Sequence, residues 1–148
     1  MRATEVVLGL DVGDARIGVA RGERGSSFVF PRGVVDRAGT KPDVESLAAV
    51  VASEAAAVVV VGLPLNLDGS ESAQTLRVRK FSEALAERLH ALGVRVVLED
   101  ERLTTRIAQR QLGSGPLPRG KRQAKGRLDE ASAVLILESY LGHGETGA

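Results

Sequence analysis

Four consecutive valines, Val58 to Val61, inside the run Ala57–Gly62, constrain the fold of this chain more than any other feature. Successive residues of a strand point to opposite faces, so an unbroken β-branched run fits only where both faces are covered. The run predicts a central parallel strand, entered and left through helices. Its flanks agree. Before it, Thr40-Lys-Pro-Asp43 has the signature of a helix start, with proline early and an acid in the first turn. Val44, Leu47, Ala48 and Val51 then recur at helical spacing. After it, the loop Leu63–Gly69 leads to Ser70, an expected helix cap. The next helix is predicted over about 71–92, with Phe81, Leu85, Leu89 and Leu92 as its buried stripe and Arg77, Arg79, Lys80 and Arg88 on its other faces.

Towards the N-terminus the period is shorter. Residues 5–11, 16–21 and 27–35 read as three strands, and Gly22-Glu-Arg-Gly25 is a hairpin turn between the last two. Beyond Gly93, residues 94–98 form a further strand. Thr104 or Thr105 caps a short helix through Leu112, and residues 113–125, rich in glycine, proline and basic side chains, read as a mobile loop. A last helix is expected over about 127–141, ahead of a flexible tail from about 142. The result is a single α/β domain: a mixed five-stranded sheet, made of a three-strand antiparallel meander plus two parallel strands, flanked by helices. That is the ribonuclease-H-like arrangement.

At 148 residues such a domain buries roughly 70% of its unfolded surface. The absence of cysteine rules out disulfides, thiolate metal sites and a cysteine nucleophile. No stretch approaches the roughly 20 apolar residues of a membrane span, and the first residues carry no signal-peptide cleavage pattern. Net charge is only +1, but its distribution is uneven: five of the nine residues from Arg119 to Arg127 are basic (Arg119, Lys121, Arg122, Lys125, Arg127) and none is acidic. The aromatics are Phe28, Phe30, Phe81 and Tyr140 alone. Reading of single-stranded RNA by base stacking usually needs an aromatic platform, so binding of nucleic acid through backbone charge and shape is the expectation.

Three acids stand where chemistry is plausible. Asp11 ends an apolar strand, where aspartate is a poor strand former; locally it reads equally well as a ligand or as part of the turn Asp11-Val-Gly-Asp14. Glu101 belongs to Glu99-Asp100-Glu101-Arg102 at a strand exit, and alternation sends Glu99 and Glu101 to one side and Asp100 to the other. At least one of these acids is expected to be a solvated partner of Arg102. Asp129 lies near the start of the last helix, with Ser132, Ala133 and Ile136 on its face, small enough at first to let the helix approach the sheet. Two-metal phosphodiester cleavage needs such converging carboxylates, and hard oxygen ligands suit Mg²⁺ or Mn²⁺. Asn66 and Asp68 read as turn formers, and His90 and His143, on a polar helix face and in the tail, are poor candidates for a base.

Four segments in order resemble the YqgF family, also called RuvX, of Holliday junction resolvase or pre-16S rRNA nuclease proteins. They are Leu8-Gly-Leu-Asp-Val-Gly-Asp-Ala-Arg-Ile-Gly-Val-Ala20, Val61-Gly-Leu-Pro-Leu-Asn-Leu-Asp-Gly69, Asp100-Glu-Arg-Leu-Thr104 and Lys125-Gly-Arg-Leu-Asp-Glu-Ala-Ser-Ala133. The resemblance covers about residues 6–142. It implies a ribonuclease-H-like nuclease with Asp11, Glu101 and Asp129 as its catalytic, metal-holding triad. It also implies a cytoplasmic setting and processing of the 5′ end of the small-subunit rRNA precursor. Branched DNA is the alternative substrate, and a resolvase would work as a two-fold homodimer. Arg119, Lys121, Arg122, Lys125 and Arg127 would position the nucleic-acid backbone. Two other classes compete. The Asp11–Asp14 hairpin is also similar to the phosphate-binding hairpin of sugar kinases and actin-like ATPases, although those use two such domains. A non-catalytic nucleic-acid binding module would use the carboxylates only as caps and turns.

Overall fold

A computed structural model describes residues 5–26, 28–102 and 121–143, with 121–128 and 143 as backbone only. Its elements are β1 (Val6–Val12), β2 (Arg16–Glu23), β3 (Val29–Asp36), α1 (Thr40–Glu54), β4 (Ala56–Leu63), α2 (Ala73–His90), β5 (Arg95–Asp100) and α3 (Lys121–His143). The strands form one mixed sheet of order β3-β2-β1-β4-β5. The β1–β2 and β2–β3 pairs are antiparallel and the β1–β4 and β4–β5 pairs parallel, as the meander and the valine run predict.

The four valines of β4 are each at most 1% exposed, and they are shared between two faces. Val59 and Val61 join Leu8, Leu10, Ile17 and Val19 under α1 and α2, where Leu47, Val51, Phe81 and Leu85 complete the core. Val58 and Val60 join Val7 and Ala20 under α3, against Ala133, Ile136, Leu137 and Tyr140. Burying each valine contributes roughly 1.5–2 kcal/mol, which only a strand covered on both sides collects at every position.

The helix ends show where local reading succeeds and fails. Asp43 is buried, and its carboxylate accepts from Ala38 N (2.9 Å), Gly39 N (3.4 Å) and Arg37 Nε (2.6 Å). Burial pushes its pKa up, but these hydrogen bonds outweigh burial and hold the carboxyl below its ordinary value. The cap of α2 is Ser72, not Ser70: Ser72 Oγ accepts from Thr75 N and Thr75 Oγ1 accepts from Ser72 N, a capping box. Ser70 is instead held in the preceding turn, where Asp68 accepts from its N and Oγ and Asn66 Nδ2 donates to it. Asn66 and Asp68 are therefore turn residues, as expected. Helix α2 stops at His90, so Leu92 falls in the turn after it and is 45% exposed. Helix α3 starts at Lys121 rather than near Arg127, which places residues 121–125 in a helix instead of a loop. The short helix expected after Thr104 or Thr105, the loop residues 113–120 including Arg119, and the tail 144–148 lie outside the described residues. Among the described residues no helix is long and apolar enough to cross a membrane.

Candidate active site at the strand ends

Strand alternation decides which acids meet. Asp11 lies across from Gly18 in the β1–β2 ladder, and directly opposed residues share a face. Stepping by two along each strand puts Val7, Gly9 and Asp11 of β1, Gly18 and Ala20 of β2, and Val58, Val60 and Gly62 of β4 on the side covered by α3. Gly62 pairs with Glu99 of β5, so Glu99 and the next-but-one residue, Glu101, face α3 as well, while Asp100 turns away.

Helix α3 crosses this face with almost nothing between backbones. A Cβ at Gly18 would run into the carbonyl oxygen of Asp129. At Gly9 it would meet Leu137 Cβ at 2.8 Å and Ala133 O at 3.0 Å, and at Gly62 it would strike Ile136 Cδ1 and Glu101 Oε2. The missing side chains let the helix rest on the sheet itself. Ala133 and Ile136, on the face read from the sequence, are buried after Asp129, together with Leu137 and Tyr140.

Each acid thus arrives on a different element. Asp11 is the penultimate residue of β1, half-buried, and its pKa is raised from 3.8 to about 6, first by burial and then by the negative charge of Asp129. Glu101 follows β5; its N donates to Leu63 O at 3.2 Å, prolonging the β4–β5 ladder by one bond. Its pKa rises from 4.5 to about 7, by burial, then by Asp11, then by Asp100. Asp129, on α3 above Gly18, accepts from Arg16 Nε at 2.9 Å. Asp11 therefore feels Asp129, and Glu101 feels Asp11, which links all three acids through the β1 end.

The neighbouring acids separate as alternation requires. Asp100 is exposed and paired with Arg102 (2.6 Å), the solvated role expected of one member of the run. Glu99 is buried and accepts from Ser139 Oγ of α3 at 2.7 Å. Sequence reasoning missed this bond and the Arg16–Asp129 pair. Arg16 was open to discovery through the hairpin register, since it stands two residues before Gly18 on the same face as Asp11. Lys121, Arg122, Lys125 and Arg127 occupy the first two turns of α3, with Lys125 one turn ahead of Asp129. His90 is exposed at the end of α2, and His143 is the last residue of α3. A cavity of about 760 Å³ lined by Gly13, Asp14, Thr40, Arg77, Lys80 and Phe81 lies on the α1–α2 side and contains none of the three acids.

The donor set fits Mg²⁺ or Mn²⁺ in kind: carboxylate oxygens, raised pKa values and mutual repulsion that positive charge would relieve. In placement it is incomplete. Among the described residues no three acidic or histidine side chains stand close enough to grasp one ion together, and Asp129 is engaged by Arg16.

Known proteins give this geometry its context. A family model described as "RuvX: Holliday junction resolvase" matches residues 5–143. A Thermus thermophilus protein named as a candidate pre-16S rRNA nuclease is 47% identical over 135 residues, covering 91% of this chain and 96% of its own length. A similarly named Sodalis glossinidius protein is 42% identical over 144 residues, 95% and 96% of the two chains. Among solved structures, T. thermophilus RuvC in complex with Holliday junction substrate superposes with a TM-score of 0.62 at 16% identity over 96% of each chain. The yeast mitochondrial Holliday junction resolvase gives 0.57 at 12% identity, over 95% of this chain and 79% of its own. The structural likenesses establish the ribonuclease-H-like fold, and the match along almost the whole sequence establishes more: this chain belongs to the RuvX family of nucleases.

Proposed function

We propose that this chain is a divalent-cation-dependent nuclease that hydrolyses phosphodiester bonds at Asp11, Glu101 and Asp129, and that its reaction is processing of the 5′ end of pre-16S rRNA. The observation that carries the reading is the pairwise proximity of acids from three elements: Asp129 of α3 acts on Asp11 of β1, and Asp11 acts on Glu101 after β5, with the pKa values of Asp11 and Glu101 raised to about 6 and about 7. Acids held at such cost are a mark of function. The names carried by relatives at 42–47% identity support the RNA substrate.

Asp11, Glu101 and Asp129 would hold Mg²⁺ or Mn²⁺, which supplies an activated water and charge neutralisation at the phosphate. Asp11 is the pivot, because it faces both other acids. Glu101 sits in the space left by Gly62, which fixes its carboxylate beside the β4 end. Lys121, Arg122, Lys125 and Arg127 at the start of α3, with Arg119 ahead of them, would draw the phosphate backbone towards Asp129 by charge. The protein would act in the cytoplasm, where its precursor RNA is made.

The family description favours a second reading, resolution of four-way DNA junctions, which requires a homodimer to make paired cuts. Incubation with Mg²⁺ or Mn²⁺ of the wild type and Asp11→Asn, against a precursor rRNA 5′ leader and a synthetic four-way junction, separates the two. Metal-dependent cutting of RNA alone, lost in the variant and in EDTA, is the expected result. Paired cuts in the junction would put the resolvase first. Equal binding by both proteins without any cut would sink the catalytic reading in favour of a binding module.

A further inference from the structure

Arg16 is a cation the structure places directly on Asp129, a member of the proposed triad, and its setting is built. It opens β2, two residues before Gly18, on the α3 face. The guanidinium reaches a carboxylate 113 positions away, and both side chains are 23% exposed. The contact is made through Nε. Four of an arginine's five N–H donors belong to its terminal nitrogens, the fork that suits phosphate oxygens.

Two demands compete for the same carboxylate. A cation held by Asp11, Glu101 and Asp129 needs the Asp129 oxygens, yet Arg16 holds Oδ2 at 2.9 Å and the three acids do not form a chelating cluster while it does so. A guanidinium released from Asp129 stays at the mouth of the site, because β2 fixes its backbone in the ladder with β1 and β3. A phosphate of bound nucleic acid would be an anion suited to the freed fork.

We propose that Arg16 is a phosphate-binding residue of this site, lodged on Asp129 in the free protein and transferred to the substrate phosphate when a divalent cation takes that carboxylate over. The inference rests on the triad reading above and adds an exchange of partners to it. Arg16 is then an internal competitor of the metal and a contributor to substrate binding, two roles that a merely structural ion pair does not combine.

The test is a Mn²⁺ titration of the full chain without nucleic acid, read by calorimetry, for wild type, Arg16→Gln, Arg16→Lys and Asp11→Asn. It is joined to the RNA-leader concentration giving half-maximal cleavage at saturating Mn²⁺. Arg16→Gln is expected to bind Mn²⁺ roughly tenfold more tightly and to need roughly tenfold more RNA, each the equivalent of one charge-assisted hydrogen bond. Arg16→Lys keeps the charge but not the fork, and is expected to lose RNA affinity while keeping Mn²⁺ affinity. Unchanged or weaker Mn²⁺ binding in Arg16→Gln overturns the proposal, since Arg16 would then only hold Asp129 in place. So does an unchanged RNA requirement in both variants. Should Arg16→Gln fail to fold, loss of Mn²⁺ affinity in Arg16→Lys overturns it. Wild-type Mn²⁺ affinity in Asp11→Asn would instead strike the triad reading itself, a distinguishable failure.

Discussion

Replacing Asp11 by asparagine should make the protein more stable while abolishing its chemistry. In the fold the Asp11 carboxyl has a pKa of about 6 against an ordinary 3.8. At 1.36 kcal/mol per pH unit this difference corresponds to at most about 3 kcal/mol. Part of that cost is shared with Asp129 and Glu101, so neutralising Asp11 alone should return about 2 kcal/mol. The sign follows from linkage: an acid whose folded pKa lies above its unfolded one penalises the fold fully above the folded value, and the penalty disappears as pH falls below the unfolded value. The advantage of Asp11→Asn should therefore be complete near pH 8 and shrink as pH drops through about 6 towards 4. Urea denaturation in EDTA measures it. With a slope of about 2 kcal/mol/M the midpoint should move up by about 1 M near pH 8, and by much less near pH 5. Added Mn²⁺ should reverse the order by stabilising the wild type through binding. A variant no more stable than wild type near pH 8, or equally favoured at both pH values, would refute the argument that burial and repulsion raise the Asp11 pKa.

Three further outcomes follow from the geometry. Gly18→Ala should destabilise the fold by roughly 2–3 kcal/mol in chemical denaturation and abolish cleavage, because its methyl group displaces the Asp129 backbone. At limiting metal, the cleavage rate should climb as pH rises through the Asp11 and Glu101 values of about 6 and about 7 and then level off, since the carboxylates bind cations only when ionised. Higher metal should move that rise to lower pH, and a profile falling over this range would contradict the assignment. Thr75→Val removes the reciprocal bond of the capping box and the bond to Pro64 O, and should cost about 1–2 kcal/mol in thermal or urea melts with cleavage at low temperature unaffected.

The sheet was legible because its signals are local. A run of four valines demands cover on both faces, and period-two alternation assigns Glu99 and Glu101 to one side without knowledge of the partner. The three acids were singled out partly by local signals, Asp11 and Glu101 at strand ends, but only the family resemblance joined them with Asp129, which lies in the third turn of α3 and not at its start. What escaped is non-local or turns on a choice between equals. The sequence around Arg16 gives no hint that its counter-ion is Asp129, because only the approach of α3 to Gly18 creates the pair. Ser70 and Ser72 are equally good caps, and the choice falls to Ser72 because Asn66 and Asp68 engage Ser70 first. Leu92 fits the helical spacing of Phe81, Leu85 and Leu89, but the turn Ala91–Gly93 takes it out of register and into solvent. The early start of α3 ran against the reading of residues 113–125, where glycine and proline outweighed the basic residues that can also build a helix.

The two faces of the sheet divide the labour of this molecule. On the α1–α2 side the contacts are between branched aliphatic side chains, where a change of shape in one is absorbed by its neighbours. On the α3 side Gly9 and Gly18 meet backbone of the helix that carries Asp129 and so set its height, and there the neighbour cannot yield. Drift, adaptation to temperature and deliberate stabilisation are therefore channelled to one face. A lineage or a designer can rebuild the aliphatic side repeatedly while the acids on the other keep their spacing, so that stability and chemistry evolve on separate surfaces of one sheet.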